Sequence, residues 1–252
     1  MSNLFDDVLE TFENDDVKNF AQKVINAAPE YWHHVGASST GKYHPAYSLG
    51  DGGLVRHTIA VVRFLNHMFA VESIANQFTS RERDLLRVAA IAHDSKKSGD
   101  QEDYEKSKWT KFDHPLRAAK FIESIEDKNI TDKDKAFCMH AIESHMGAFN
   151  TDKRYPDIVL PKPEDKYQII LHLADYLASR KDIEMKFEEK EFPMPQPENV
   201  NDWKFTFGKH KGKTIPEVDE IDHQYIEWAT NNMDKEPAKT LLQEYSKMDK
   251  GN

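Results

Sequence analysis

The sequence contains a single cysteine, Cys138, among 252 residues. One thiol excludes an intramolecular disulfide framework and is typical of proteins in a reducing compartment. No apolar run approaches the roughly 18 residues that a membrane-spanning helix needs. The N-terminal stretch MSNLFDDVLETFENDD lacks the basic and apolar regions of a signal peptide. We therefore expect a soluble, cytoplasmic protein with no membrane partner.

Positive charge is also in short supply, with 34 Lys and Arg against 44 Asp and Glu and a net charge of −10. This balance argues against bulk electrostatic attraction to nucleic acid, although a local basic patch remains compatible with it. The length suits one large domain or a domain with a small appendage. Histidine, by contrast, is plentiful, with 12 residues, and its placement carries most of the functional information.

Helical periodicity dominates the chain as far as about residue 185. Thr79 with Glu82 and Thr131 with Asp134 have the spacing of capping boxes, and Pro115 suits the first position of a helix. No alternating strand pattern interrupts this region. The predicted fold is mainly α, a helical bundle whose principal helices lie within residues 17–28, 54–69, 79–93, 113–125, 131–145 and 164–183.

The composition changes at EEKEFPMPQPENVND, where three prolines stand among acidic residues. Such a segment is typical of a linker. We predict a helical domain at 1–187, a linker at 188–202 and a small α+β module at 203–252. In that module KFTF and KTI are predicted as short strands that flank a KHKGK turn, with one or two helices after them.

Several predicted helices each contribute a residue that could bind a metal. Imidazole and carboxylate together suit manganese, iron, nickel or zinc. Any one of these residues alone is more often an ordinary core residue, but two buried carboxylates among imidazoles resolve their desolvation cost by sharing a cation. The candidates are His57, the His93–Asp94 pair, His114, His140, His145 and Asp175.

Helical geometry refines this set. His172 and Asp175 are three residues apart and share a helix face, so His172 is either a ligand neighbour or a residue that orients the carboxylate. His140 and His145 are five apart, about 140° around a helix. They converge only if the helix ends near His145, and Gly147 supports such an end.

An isolated His, a His-Asp pair at a helix end and a later Asp together resemble the HD superfamily of metal-dependent phosphohydrolases. The resemblance implies one divalent metal on His57, His93, Asp94 and Asp175. It implies a second metal on His114, His140 and His145, with Asp94 as the bridge and the ions about 3.5–4 Å apart. Lys97 matches the lysine of the family's HDxxK pattern, which implies a contact with the substrate phosphate.

The segment KYHPAYSLGDGGLVRHT, together with HAIESHMG and LHLADYLA, is similar to motifs of HD-domain 3′→5′ exoribonucleases. This similarity implies that His44 faces the site. Arg56, beside His57, and Arg117, one turn into its helix, are further candidates for phosphate contacts.

The stretch FGKHKGKTIPEV resembles the small C-terminal domain of exodeoxyribonucleases of the X type, which also occurs in phage proteins and hints at a phage origin. Lys209 and Lys211, with Lys204, His210 and Lys213, suit phosphate contacts, and nearby Trp203, Phe205 and Phe207 suit base stacking. An equally good interpretation is a solvated basic hairpin packed on the main domain.

Taken together, these resemblances imply a phosphohydrolase with one or two divalent ions. It would cleave phosphoester bonds of nucleic acid 3′ ends or of nucleotides through a metal-activated water. The alternatives are an enzyme that acts only on small nucleotides, a di-iron oxygenase on the same fold, and a nucleotide-sensing binding protein.

Overall fold

The chain forms two compact units, Met1–Phe192 and Pro193–Asn252. The structure is a computed structural model, and the residues that it describes are 4–38, 44–183, 185, 201, 203–205, 208–233 and 238–249. Among these residues, no helix combines the length and the apolar character needed to cross a membrane.

The described part of the first unit is mainly α-helical, as predicted, with one isolated antiparallel bridge between Thr151 and Val159. Two short 3-10 turns, Glu30–His33 and Ala46–Ser48, lie between the second and third helices. The α-helices are α1 (Asp6–Leu9), α2 (Asp15–Ala27), α3 (Gly53–Phe69), α4 (Glu72–Ala75), α5 (Ser80–Ala92), α6 (Gln101–Lys106), α7 (His114–Ser124), α8 (Asp132–Glu143) and α9 (Lys166–Ala178).

Helices α3 and α5 form the centre of the bundle. Every residue of α3 from Gly53 to Val62 is buried, and so is every residue of α5 from Asp84 to Ala92. Helix α3 packs against α5 and α9, while α5 also packs against α2 and α8. A helix that is apolar on most sides lies in the interior of a protein. The central position of α3 and α5 brings the residues at their ends to the middle of the unit.

The predicted helix starts are confirmed. Thr79 and Glu82 form a capping box at α5, and Thr131 and Asp134 form one at α8. Pro115 lies in the first turn of α7, directly after Asp113 and His114. These contacts satisfy backbone N–H groups that would otherwise lack partners, and they set where each helix begins.

Helix ends matter as much for the site. Helix α5 ends at Ala92, so that His93 caps it and Asp94 follows. Helix α8 ends at Glu143, two residues before His145. Gly147 has a φ of 56°, and a Cβ there would lie 2.1 Å from the His172 ring. Both the backbone angle and the space therefore require glycine, and the resulting turn directs His145 back into the bundle.

The second unit contains α10 (Ile215–Asn232), which is interrupted at Asp222, and α11 (Ala238–Asp249). The two predicted strands are not confirmed, because the described residues show only an isolated antiparallel bridge between Lys204 and Thr214. The unit has its own apolar core, which includes Trp203, Phe205, Ile215, Val218, Ile226, Leu241 and Leu242. The predicted linker at 188–202 lies outside the described residues except for Asn201.

Candidate metal centre

Six predicted ligands meet inside the first unit, brought there by five different helices or helix ends. Five are buried, and the side chain of Asp175 is 18% exposed. The six are His57 on α3, His93 and Asp94 at the end of α5, His114 at the start of α7, His145 after α8, and Asp175 on α9.

The first half of the cluster surrounds the two carboxylates. Nε2 of His57 lies 3.0 Å from Oδ1 of Asp175 and 3.9 Å from Oδ2 of Asp94. Nε2 of His93 lies 3.7 Å and 3.6 Å from the same two oxygens. Two imidazole nitrogens and two carboxylate oxygens thus face a common point.

The second half uses the other oxygen of Asp94. Oδ1 lies 3.1 Å from Nε2 of His114 and 3.8 Å from Nε2 of His145. The two imidazole nitrogens are 3.3 Å apart. Asp94 therefore stands between two groups of histidines and presents one oxygen to each.

Backbone hydrogen bonds orient three of these rings. The Nδ1–H groups of His93, His114 and His145 donate to backbone carbonyls three residues earlier, at 2.7, 2.7 and 2.8 Å. A neutral imidazole that carries its proton on Nδ1 has a lone pair on Nε2. All three lone pairs consequently point into the cluster, as metal ligands require.

Burial sets the charge states. It lowers the pKa of His145 to about 3, and it lowers the pKa of His93 as well, so both rings are neutral at pH 7. For Asp94, burial alone would raise the pKa, but the Lys97 ammonium holds it well below its usual range. For Asp175, a hydrogen bond from His57 outweighs burial in the same way and also lowers the pKa. The centre therefore combines two ionised carboxylates with the neutral imidazoles of His93 and His145.

This arrangement fits a cation. In the described part of the chain, Nε2 of His93 and Oδ1 of Asp94 are buried without a hydrogen-bond donor or acceptor. Lone pairs and carboxylate oxygens that face each other at these distances repel unless positive charge lies between them. The ligand atoms form three groups, and within each group they all lie within 4.8 Å of one another. The groups are His57–His93–Asp94, His93–His145–Asp175 and Asp94–His114–His145. Such nitrogen and oxygen donors suit manganese, iron, nickel or zinc.

Comparison with known proteins agrees with this geometry. The model of the HD domain matches residues 56–180, a range that includes all six clustered ligands. The chain contains an HD domain. A second model, described as exodeoxyribonuclease X-like C-terminal, matches residues 205–234. No curated protein and no solved structure matches the chain. The HD domain implies a metal-dependent phosphohydrolase that binds divalent ions.

His140 is the exception among the predicted ligands. Its side chain is 53% exposed, and Nε2 lies 2.7 Å from Oδ2 of Asp165 at the start of α9. The expectation that it joins His145 is wrong for this structure. Because α8 remains regular through His140 and ends only at Glu143, His140 keeps its place on the outer face while His145 turns inward.

A cavity of about 590 Å³ opens onto the metal centre of the HD domain. Lys97 lies on its wall, with Nζ 2.5 Å from Oδ2 of Asp94. His44 lies there too, as the exoribonuclease similarity implies, and burial lowers its pKa to about 4. His172 also lines the cavity, and its Nδ1–H donates to the carbonyl of His145 at 2.7 Å. This contact ties the His172 ring to the turn after α8, and the expectation that His172 orients the Asp175 carboxylate stays a prediction.

Neither predicted arginine faces the cavity. The buried Arg56 guanidinium donates to the carbonyls of Tyr47 and Leu49, which ties the loop before α3 to that helix. Arg117 pairs with Asp113 and Asp103 instead. The expectation that they contact the substrate phosphate is therefore corrected. In both cases acceptors on the protein itself already bind the guanidinium.

Tyr176 and Arg180 are among the cavity residues that the sequence did not predict. Tyr176 and Arg180 line the cavity, and the Arg180 guanidinium lies 4.3 Å from the Tyr176 ring centroid. They follow His172 at successive intervals of four residues, which places Tyr176 on the same face of α9 as His172 and Arg180 just beyond the end of that helix. That spacing is visible in the sequence once His172 is assigned to the site.

The basic residues of the second unit are only partly available. Lys209 pairs with Asp222 at 2.5 Å, and its ammonium lies 5.3 Å from the Tyr225 ring centroid. Lys211 is exposed. Trp203 and Phe205 are core residues rather than stacking platforms, while Phe207 lies outside the described residues. The stacking expectation is therefore wrong for Trp203 and Phe205, whose rings build the core of this small unit.

Proposed function

We propose that this protein is a metal-dependent phosphohydrolase that cleaves phosphoester bonds at nucleic acid 3′ ends. The observation that carries the proposal is the position of Asp94, which presents one oxygen to His57 and His93 and the other to His114 and His145. This arrangement suits two cations that share one carboxylate. The adjoining cavity gives a phosphate access to the same point.

The roles of the residues follow from their positions. His57, His93, Asp94 and Asp175 would hold one ion, and Asp94, His114 and His145 the other. When bound, such ions polarise a phosphoryl oxygen and lower the pKa of water. Because the imidazoles are held by backbone carbonyls, the protein needs little rearrangement to bind them.

Lys97 supplies the charge on the substrate side. Its side chain is 16% exposed and lies between Asp94 and the cavity. An ammonium in that position offers hydrogen bonds to phosphoryl oxygens as negative charge develops on them. It also stabilises the ionised form of Asp94, whose pKa it lowers against the effect of burial.

The cavity volume also supports a second candidate, hydrolysis of free nucleotides. About 590 Å³ is within the range of ordinary small-molecule sites, about 300–1,000 Å³. A polymer substrate is supported by the exodeoxyribonuclease X-like match and by the similarity of the His44 and His57 segments to exoribonucleases.

The proposal is tested by loading the full chain with manganese, iron, nickel or zinc and measuring the bound metal. Hydrolysis of bis(p-nitrophenyl) phosphate, a mononucleotide, and short RNA and DNA strands is then followed. Lys97→Ala should lower kcat by about 100-fold while bound metal is retained. Lys96→Ala is the matched control, because the Lys96 side chain is buried to a similar extent but pairs with the exposed Asp100 and does not line the cavity.

Absence of hydrolysis with every metal would overturn the proposal. Oxygen consumption with iron and no hydrolysis would identify the oxygenase alternative instead. Turnover of the mononucleotide alone would replace the polymer with a small substrate.

A further inference from the structure

We propose that a groove beside the metal centre binds the bases of single-stranded nucleic acid next to the bond that is cleaved. This inference rests on the proposed function and specifies its substrate. The groove has a volume of about 320 Å³. It is lined by Ser107, Trp109, Thr110, Lys111, Arg154 and Tyr155, and we call it the aromatic groove.

The aromatic groove adjoins the metal-centre cavity. Thr110 lines both depressions. The next residue, Lys111, donates its backbone N–H to the carbonyl of Lys97 at 2.8 Å, and its own carbonyl accepts from Nδ1–H of His114 at 2.7 Å. The groove wall is thus bonded to the phosphate-side lysine and to a metal ligand, so a strand in the groove would lead directly to the centre.

Several exposed aromatic rings surround the aromatic groove and the metal-centre cavity. Trp109 is 70% exposed and Phe149, on the cavity wall, is 66% exposed. Tyr155 is 39% exposed and stacks on the buried Phe112, with ring centroids 6.0 Å apart and planes 6° from parallel. Single exposed apolar residues are common, but aromatic side chains gathered around a catalytic cavity mark a binding surface.

Local charge is opposite to that of the whole chain. The groove lining includes Lys111 and Arg154 but no acidic residue, whereas the protein as a whole has a net charge of −10. Arg154 pairs with Asp152 at 2.6 Å, which leaves Lys111 and the neighbouring Lys108 as the cations for a phosphate backbone. Positive charge interleaved with exposed rings suits single strands, because bases stack on the rings while the backbone follows the cations.

The occupant is a single strand rather than a duplex or a lone nucleotide. Bases in a duplex are stacked on one another and cannot present their faces to Trp109 or Tyr155. A mononucleotide held at the metal centre would fill the cavity and leave the groove beyond Thr110 unused. RNA and DNA share the required chemistry, and the experiment separates them.

The test compares oligonucleotides with a small diester in the full-length, metal-loaded protein. Uridine and thymidine hexamers and bis(p-nitrophenyl) phosphate are assayed with wild type, Trp109→Ala and Trp109→Phe. Trp109→Ala should lower the ratio of oligonucleotide to diester kcat/KM by about tenfold or more, mainly through KM, and Trp109→Phe should restore most of it. Val71→Ala, which changes another exposed apolar side chain that lines neither depression, should keep the wild-type ratio.

A binding assay makes the inference independent of turnover. Fluorescence anisotropy of a labelled hexamer in EDTA should show weaker binding to Trp109→Ala than to wild type, and the preferred hexamer identifies the sugar. If wild type does not bind the hexamers, or if Trp109→Ala matches wild type in both assays, the aromatic groove is refuted while hydrolysis of the diester still supports the proposed function. Conversely, Trp109-dependent binding without any hydrolysis would support the groove and overturn the proposed function.

Discussion

Asp94→Asn provides the sharpest test of the metal centre. The substitution keeps the shape of the side chain but removes the negative charge between His93 and His114. It also replaces one carboxylate oxygen with an amide N–H₂ that cannot bind a cation. Since Asp94 is 2% exposed, water cannot substitute freely for the lost oxygen. We expect metal affinity to fall by about 100-fold or more. Changing a residue that only hydrogen-bonds to a ligand typically lowers metal affinity by about 10- to 100-fold, and loss of a ligand should cost more.

The loss of metal affinity is measurable as a smaller rise in Tm when metal is added. At a metal concentration of 100 times Kd, binding stabilises the wild-type fold by about 2.7 kcal/mol. In a unit of this size each kcal/mol raises Tm by about 2–4 °C, so metal should raise Tm by about 5–11 °C. If Kd rises 100-fold at the same concentration, only about 0.4 kcal/mol remains, or about 1–2 °C.

Scanning fluorimetry of wild type and variant, each with excess manganese and with EDTA, measures this shift directly. The difference between the two conditions cancels any change in metal-free stability. Asp51→Asn is the control, because the Asp51 side chain is 76% exposed and does not line the metal-centre cavity. A full manganese shift in Asp94→Asn, with wild-type metal content, would refute the assignment of Asp94 as a shared ligand.

Two further predictions concern the rest of the bundle. His145→Ala should lose about 10- to 100-fold in metal affinity, whereas His140→Ala should keep wild-type metal content by elemental analysis, and the opposite ranking would contradict the geometry. Hydrogen bonds from Arg81 lower the pKa of Asp134 to about 2, below its unfolded value of about 3.9. The stability from this pair is therefore present above pH 4 and lost as the pH falls toward 2. Asp134→Asn should cost about 1–2 kcal/mol at pH 7 and progressively less at lower pH in urea denaturation, and a difference that does not change with pH would count against this pair.

Local rules in the sequence determined most of the fold. The capping boxes at Thr79 and Thr131 and the proline after His114 specify helix starts through contacts within a few residues, and such contacts do not depend on the rest of the chain. The predicted strands of the second unit depended on a longer pattern. There, the described residues retain only the bridge between Lys204 and Thr214.

The sequence by itself determined which residue types form the candidate site, because buried carboxylates and imidazoles at helix ends need a common partner. Only the tertiary structure decided which of them converge. His140 and His145 look alike in the sequence, yet the end of α8 at Glu143 separates them. Arg56 looked suited to phosphate until the loop carbonyls of Tyr47 and Leu49 engaged it. No sequence pattern predicted a role for Trp109 and Tyr155, since only the folded chain brings their loops together in the aromatic groove. A side chain's role depends on distant contacts that local spacing does not encode.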